Sequence, residues 1–144
     1  MDNKNDSQRF LLTEEPLSPE ALMTLLEDEK NGAVVTFTGY VRNKKNNKTV
    51  VALDFEAYEP MAILELEKIE SEVKLTWPEV NIALHHRLGR VDAKEVPVVA
   101  GAASPHRKEA FEACAYLMNR LKESVPIWKK EIFEDGEIWV TPTP

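Results

Sequence analysis

Residues 104–130 read S-P-H-R-K-E-A-F-E-A-C-A-Y-L-M-N-R-L-K-E-S-V-P-I-W-K-K. The segment predicts one long helix with polar chemistry at both ends. Ser104 is a good N-cap and Pro105 a good first helical residue. Apolar side chains recur at Ala110, Phe111, Cys114, Leu117, Met118 and Leu121, a helical stripe, and Pro126 ends the pattern. His106 and Arg107 occupy the predicted first turn; Lys122 lies in the last turn and Lys129 just past the break. A helix dipole favours negative groups at its N-terminus by about 0.3–1 kcal/mol each. The cationic first turn works against that preference unless an anion binds there. Free backbone N–H groups, an imidazole and a guanidinium together suit a phosphate. The alternative is a pair of solvated surface side chains. An earlier Ser-Pro cap, Ser18-Pro19, is followed by Glu20, the charge the dipole prefers, and the contrast singles out His106 and Arg107.

A chain of 144 residues is expected to form a single domain over 1–144, with 1–7 disordered. A net charge of −7 argues against a general binder of nucleic acid or of anionic membranes, but leaves room for a local basic pocket. One cysteine, Cys114, excludes an internal disulfide and a cysteine-based zinc cluster. No apolar run approaches the ~20 residues of a membrane span. The polar start M-D-N-K-N-D-S-Q has no signal-peptide core, so a cytoplasmic location is expected.

Working outward, Gln8 to Thr13 reads as a short strand. Ser18-Pro19-Glu20 opens a helix that buries Leu22, Leu25 and Leu26 and ends at Asn31-Gly32. Ala33 to Arg42 alternates as a strand, with Arg42 at its end on the more polar face. Asn43 to Thr49 is a basic, solvated hairpin connection. Val50 to Tyr58 is a second strand, with Val51, Leu53, Phe55 and Ala57 inward. Pro60 opens a helix with Ala62, Leu66, Ile69 and Val73 on one stripe; Glu65, Glu67, Glu70 and Glu72 form a solvated face rather than a metal site. Val80 to Leu88 and Val96 to Ala103 read as strands joined through Gly89 to Glu95. His85 and His86 fall on opposite faces, cannot chelate one metal as a simple pair, and read as structural. Ile127 to Phe133 and Glu137 to Val140 form a hairpin over Glu134-Asp135-Gly136, in which Lys129 and Lys130 point opposite ways. The order β-α-β-β-α-β-β-α-β-β indicates an α+β fold with three main helices and mostly antiparallel strands.

Five stretches together resemble the large, catalytic subunit of molybdopterin synthase: G-A-V-V-T-F-T-G-Y-V-R-N at 32–43, L-D-F-E-A-Y-E-P-M at 53–61, H-R-L-G at 86–89, S-P-H-R-K-E-A-F-E-A at 104–113 and L-K-E-S-V-P-I-W-K-K-E at 121–131. They follow the family's order and spacing from about residue 32 to residue 140. The resemblance implies an α/β-hammerhead-type fold and a sulfur-insertion enzyme with no permanently bound cofactor. Its partner would be a small ubiquitin-like subunit carrying a C-terminal thiocarboxylate, and its substrate cyclic pyranopterin monophosphate, converted to the dithiolene of molybdopterin. Large subunits would form a homodimer within a heterotetramer. By the same resemblance Lys122 and Lys129 are catalytic, and Arg42, His106 and Arg107 anchor the substrate; Lys130 is a candidate for holding the partner's tail. Two departures stand out. The strand before the long helix carries Pro97 and small residues, so that sheet edge is expected to pack differently. The chain ends T-P-T-P, without the further substrate-contacting arginine that some relatives carry.

From Arg107 to Lys122 is roughly 22 Å along a helix rising about 1.5 Å per residue. One small pterin cannot readily touch both ends. The expectation is a site across a homodimer, one copy supplying His106 and Arg107 and the other Lys122 and Lys129. A lysine in a partly apolar pocket near another cation transfers protons near neutral pH, and a cationic pocket stabilises an oxyanion. Lys122 is assigned the acid/base role and Lys129 the oxyanion or thiocarboxylate. Cys114, mid-stripe on the apolar face, is expected to be buried and inert rather than a sulfur carrier. The rival class is a non-catalytic phosphate-ligand or peptide-tail binding module. A hydrolase or nucleotidyl enzyme lacks any P-loop, G-x-S-x-G or metal-ligand cluster.

Overall fold

The computed structural model describes residues 8–140; the expected disorder of 1–7 and the terminal Thr141–Pro144 lie outside the described residues. Three helices are described: α1 (Pro19–Leu26), α2 (Glu59–Thr76) and α3 (Arg107–Ser124). The strands are β1 (Phe10–Thr13), β2 (Ala33–Thr38), β3 (Lys44–Lys45), β4 (Lys48–Ala57), β5 (Asn81–Arg87), β6 (Gly89–Asp92), β7 (Val98–Ser104), β8 (Ile127–Phe133) and β9 (Gly136–Val140). The first sheet has the order β1-β5-β7-β2, and the second runs β3-β4-β8-β9 with β6 also paired to β4. Every pairing is antiparallel except β1 with β5. The fold is α+β, as the element order predicts.

The first sheet is covered on both faces, and β5 and β7 show why. Along β5, Ile82 and Leu84 face α2 and α3, whereas Ala83 faces α1. Along β7, Val98, Ala100 and Ala102 take the first face, and Val99 and Ala103 the second. Two-residue alternation assigns these faces, and small side chains let helices approach closely on both. Gly101 is the extreme case. A Cβ there would lie 2.8 Å from Leu26 Cδ1 and 2.9 Å from Leu22 Cδ2 of α1. The strand expected to be an altered sheet edge is thus interior and fully buried, between β5 and β2. On the other face, α2 buries Ala62, Leu66, Ile69 and Val73 completely, matching its predicted stripe. The last three contribute about 1.5–3 kcal/mol each.

Several local expectations change. Ser18 caps α1 as predicted, its Oγ accepting from the Ala21 N–H, but α1 ends at Leu26 rather than at Asn31-Gly32. Ser104 closes β7 instead of capping α3; His106 is the N-cap, and Ser104 Oγ accepts from the His106 N–H. β2 ends at Thr38, four residues before Arg42. The basic loop is a tight hairpin, with φ of 52° and 66° at Asn46 and Asn47, as a two-residue primed turn requires. A register shift between Val50 and Ala52 puts Val50, not Val51, into the second core with Phe55. Gly89–Asp92, expected as a connection, is strand β6 on β4. Phe111 falls off the buried stripe of α3 and is 60% exposed, while Ala113 takes a place on it. The α2 glutamates are not all solvated. Glu70 pairs with Arg9. Glu72 accepts from Arg120 Nε at 2.9 Å and Tyr116 Oη at 2.6 Å, tying α2 to α3. The Arg120 and Tyr116 hydrogen bonds hold the Glu72 carboxyl down to about 2.

Gly32 receives the close approach that sets the entry to α3. Its N–H donates to the Ser104 carbonyl at 3.0 Å, and a Cβ would sit 2.4 Å from the Pro105 carbonyl oxygen. Because that neighbour is backbone, Gly32→Ala should lower unfolding free energy by about 1–3 kcal/mol. Gly101→Ala, whose tight contacts are leucine side-chain ends and whose nearest backbone atom, the Val35 carbonyl oxygen, stands at 3.4 Å, should cost less. Denaturant midpoints compare the two; equal midpoints would contradict the close-approach account.

Candidate active site

The C-terminal half of α3 runs toward β8, and the space between them is a pocket of about 360 Å³. The α3 stripe continues into it through Met118 and Leu121, and Lys122 follows on the next position round the helix. β8 contributes Lys129, directly opposite Phe55 of β4. Residues opposite each other in an antiparallel pair share a face, so Lys129 and Phe55 lie side by side. Arg42, in the segment after β2, closes another side. Phe37, Tyr40 and Trp128 also line the pocket and remain 42%, 64% and 41% exposed, giving it an aromatic mouth.

Three predicted site residues, Arg42, Lys122 and Lys129, thus converge on one pocket. His106 and Arg107 do not join them. Both are exposed at the opposite end of α3. Lys130 points away from Lys129, as alternation predicts, and lies 3.4 Å from Glu137.

The lysines sit in different surroundings. Lys122 is exposed and Lys129 half-buried. Burial, more than any neighbouring charge, pulls the Lys129 ammonium below its ordinary range; Lys122, Lys45 and Arg42 push the same way, and Glu131 opposes them. Glu131 is itself buried and engaged. Lys45 Nζ donates to both its carboxylate oxygens, at 2.9 and 2.8 Å. Lys45, expected in a solvated loop, therefore carries charge inward to β8.

His86, read from sequence as structural, lines the pocket as well. Alternation along β5 places it after Ile82 and Leu84 on the same face, where the sheet passes from core to pocket. Its ring packs edge-on against Phe55 at 4.8 Å. Burial pushes its pKa down to about 4, which keeps the imidazole neutral at pH 7. The signal in the sequence was this two-residue phase, legible once the strand's covered face is known. His85 faces the other way, its Nε2 2.7 Å from the Gln8 carbonyl oxygen.

Cys114 is buried in the helix–sheet core, and burial pushes its thiol up to about 11, the opposite of an activated thiolate. Among the described residues no three or more His, Cys, Asp or Glu side chains gather as metal ligands, and no helix is long and apolar enough to cross a membrane. What the pocket offers is cationic, aromatic-lined and partly buried. It suits anionic ligands and the stabilisation of negative charge during acyl-type chemistry.

Comparison with known proteins identifies the family. The family described as MoaE protein matches residues 12–124. The molybdopterin synthase catalytic subunit of Bacillus subtilis (strain 168) is 45% identical over 133 residues, covering 92% of this chain and 85% of that protein. The X-ray crystal structure of molybdopterin synthase from Staphylococcus aureus matches with a TM-score of 0.90 and 40% identity, covering 92% of this chain and 97% of that one. A protein–protein complex of subunits 1 and 2 of molybdopterin-converting factor from Helicobacter pylori 26695 shares the fold, with a TM-score of 0.77 at 24% identity over 92% of this chain and 90% of that one. With a family match across most of its length, and a fold shared with a solved relative, the chain belongs to the family of molybdopterin synthase catalytic subunits, enzymes of molybdopterin biosynthesis.

Proposed function

We propose that the chain is a sulfurtransferase that moves sulfur from the C-terminal thiocarboxylate of a small ubiquitin-like partner to cyclic pyranopterin monophosphate. The observation that carries the reading is the convergence of Arg42, Lys122 and Lys129 in one aromatic-mouthed pocket. In each transfer the thiocarboxylate sulfur bonds to a carbon of the pterin's side chain and displaces the oxygen held there, which leaves with a proton as water or stays on the phosphate. Water then adds to the resulting thioester carbonyl, and the oxyanion so formed collapses to break the tail's carbon–sulfur bond, leaving sulfur on the pterin and a carboxylate on the tail. Two such transfers make one dithiolene.

The pocket's cations match these demands. Arg42 and Lys122 supply positive charge for the anionic substrate and for the oxyanion. Lys129 takes the acid/base role, reversing the division expected from sequence, because burial and surrounding cations depress its ammonium. The exposed rings of Phe37, Tyr40 and Trp128 suit an inserting peptide tail. Assembly with a small subunit is supported by the relative solved as a two-subunit complex. His106 and Arg107 serve the pocket of a second copy, and exposed Phe111, one turn along α3, suits the contact between copies. A passive binding module has no need of a depressed lysine.

Reconstitution with a thiocarboxylated small subunit and the cyclic pyranopterin, read as dithiolene formation, tests this reading. Lys122→Ala should lose turnover by about two orders of magnitude or more while still binding the small subunit, and Cys114→Ala should keep it. Retained turnover in Lys122→Ala would sink the assignment. Mixing His106→Ala with Lys122→Ala chains should restore part of the activity through hybrid dimers; verified hybrids without rescue would exclude the shared site. Lys129 can be titrated by carbon-13 NMR of labelled lysine. Its midpoint should lie below the ordinary lysine value of 10.5, and Glu131→Gln should move it lower still by removing the carboxylate that favours the ammonium. An upward move would contradict the electrostatics.

A further inference from the structure

His86 differs from the other polar side chains of the pocket in what it offers a ligand. Arg42, Trp128 and protonated lysine only donate hydrogen bonds; the Tyr40 hydroxyl, at the exposed rim, can do either. The tautomer of His86 follows from its backbone contact. Nδ1 lies 2.8 Å from the Arg87 carbonyl oxygen, which can only accept, so Nδ1 carries the proton. Nε2 is left with its lone pair. It has no hydrogen-bond partner among the described residues, and it is not among the fully buried unpartnered atoms, so it retains access to the pocket. The ring cannot swing away freely, because the residue is 6% exposed and its edge-on contact with Phe55 fixes one side. Phe55 in turn lies opposite Lys129 across the β4–β8 pair.

We propose that His86 is a substrate-contacting residue: Nε2 is a fixed hydrogen-bond acceptor on the pocket floor, beside Lys129, for an N–H donor of a bound ligand. Once a ligand displaces water from this floor, an acceptor without a donor would be left unsatisfied, so the site selects ligands that present one there. The role is that of an acceptor and not of a base. Burial keeps the imidazole neutral and poor at holding a second proton. Two participants in the proposed reaction carry suitable N–H groups, the pterin ring system and the backbone amides of the partner's tail. The inference rests on the proposed sulfur-transfer reading for these ligands, whereas the acceptor itself is a property of the pocket.

Two substitutions separate the acceptor from its bulk. His86→Gln can place an oxygen near the Nε2 position, and His86→Leu fills space without any acceptor. With the small subunit and cyclic pyranopterin supplied, His86→Leu should lose roughly ten- to a hundredfold in kcat/KM, and His86→Gln should recover most of it. Wild type and Lys122→Ala run in parallel. An active wild type and an inactive Lys122→Ala alongside a fully active His86→Leu would overturn the acceptor and leave the sulfur-transfer reading standing; an inactive wild type would overturn the sulfur-transfer reading, and the nitrogen-15 measurement then decides the acceptor. Equal losses in Leu and Gln variants of native thermal stability would also overturn it, since shape alone would then be at work. Nitrogen-15 NMR of histidine-labelled wild type needs no substitution and decides the matter should a variant fail to fold. The Nε2 resonance should start at the position of an unprotonated ring nitrogen and move on adding the pterin alone or the small subunit alone, which names the donor. No movement with either ligand, binding being verified by calorimetry, would overturn the proposal.

Discussion

The packing of helices on both faces of the β5–β7 pair is the constraint on which the rest depends. A sheet covered on both sides must present apolar or small residues at every position, and β7 does so from Val98 to Ser104. Gly101 shows how little space remains, with two leucine ends of α1 where a Cβ would stand. That closeness on one face goes with a thin sheet on the other, where Ala100 and Ala102 let α3 settle deeply. The depth and direction of α3 follow, and with them the position of Lys122. The geometry of the pocket at the end of this helix is thus a consequence of alanines and a glycine near the sheet's centre.

Much of this was legible in the sequence because single elements carry their own periodicity. The stripe of α2, the cap of α1 and the β8–β9 hairpin need only local spacing, and each stands where the pattern puts it. What escaped depends on neighbours distant in sequence. The shift at Val50–Ala52 turns Val50 rather than Val51 inward while Leu53, Phe55 and Ala57 keep the predicted face, and alternation counted along one strand cannot reveal it. β6 is a strand only because β4 offers it an edge. Ser104 has the chemistry of an N-cap, yet pairing of β7 with β2 holds it in the sheet, opposite Ala33, and moves the cap to His106. The candidate site divided in the same way. Arg42, Lys122 and Lys129 are named from sequence and meet in one pocket, whereas His86 reads as structural because adjacent histidines on a strand fall on opposite faces and cannot hold one metal as a pair.

Electrostatics explains why the pocket is cationic in a chain whose net charge is −7. The carboxylate that acts on Lys129 is already committed to another cation. Glu131 is bound by Lys45, and its remaining influence on Lys129 is outweighed by burial together with three nearby cations. At the far side of the core, Glu72 and Glu70 are held by Arg120 and Arg9. With Glu131 shared between Lys45 and Lys129, the pocket's positive charge is only partly balanced, a condition that favours entry of an anionic ligand. Overall charge keeps nonspecific polyanions away, and local charge attracts the small anion that fits.

The length of α3 sets the final constraint on how these parts combine. Its eighteen residues form one continuous helix, with Arg107 at the first position and Lys122 in the last turn. A packed helix does not shorten, so His106 and Arg107 stay roughly 22 Å from Lys122 whatever binds. The stripe that fixes the helix also fixes its rotation, since Ala110, Ala113, Cys114, Leu117 and Leu121 must face the sheet. The cationic first turn is exposed at the far end of the helix from its own pocket, with Phe111 exposed one turn along. A basic turn and an apolar ring on one surface have the chemistry of an anion-binding edge completed by another molecule. If His106 and Arg107 act in the same reaction as Lys122, the rigidity of this helix requires that they act in the pocket of a second copy.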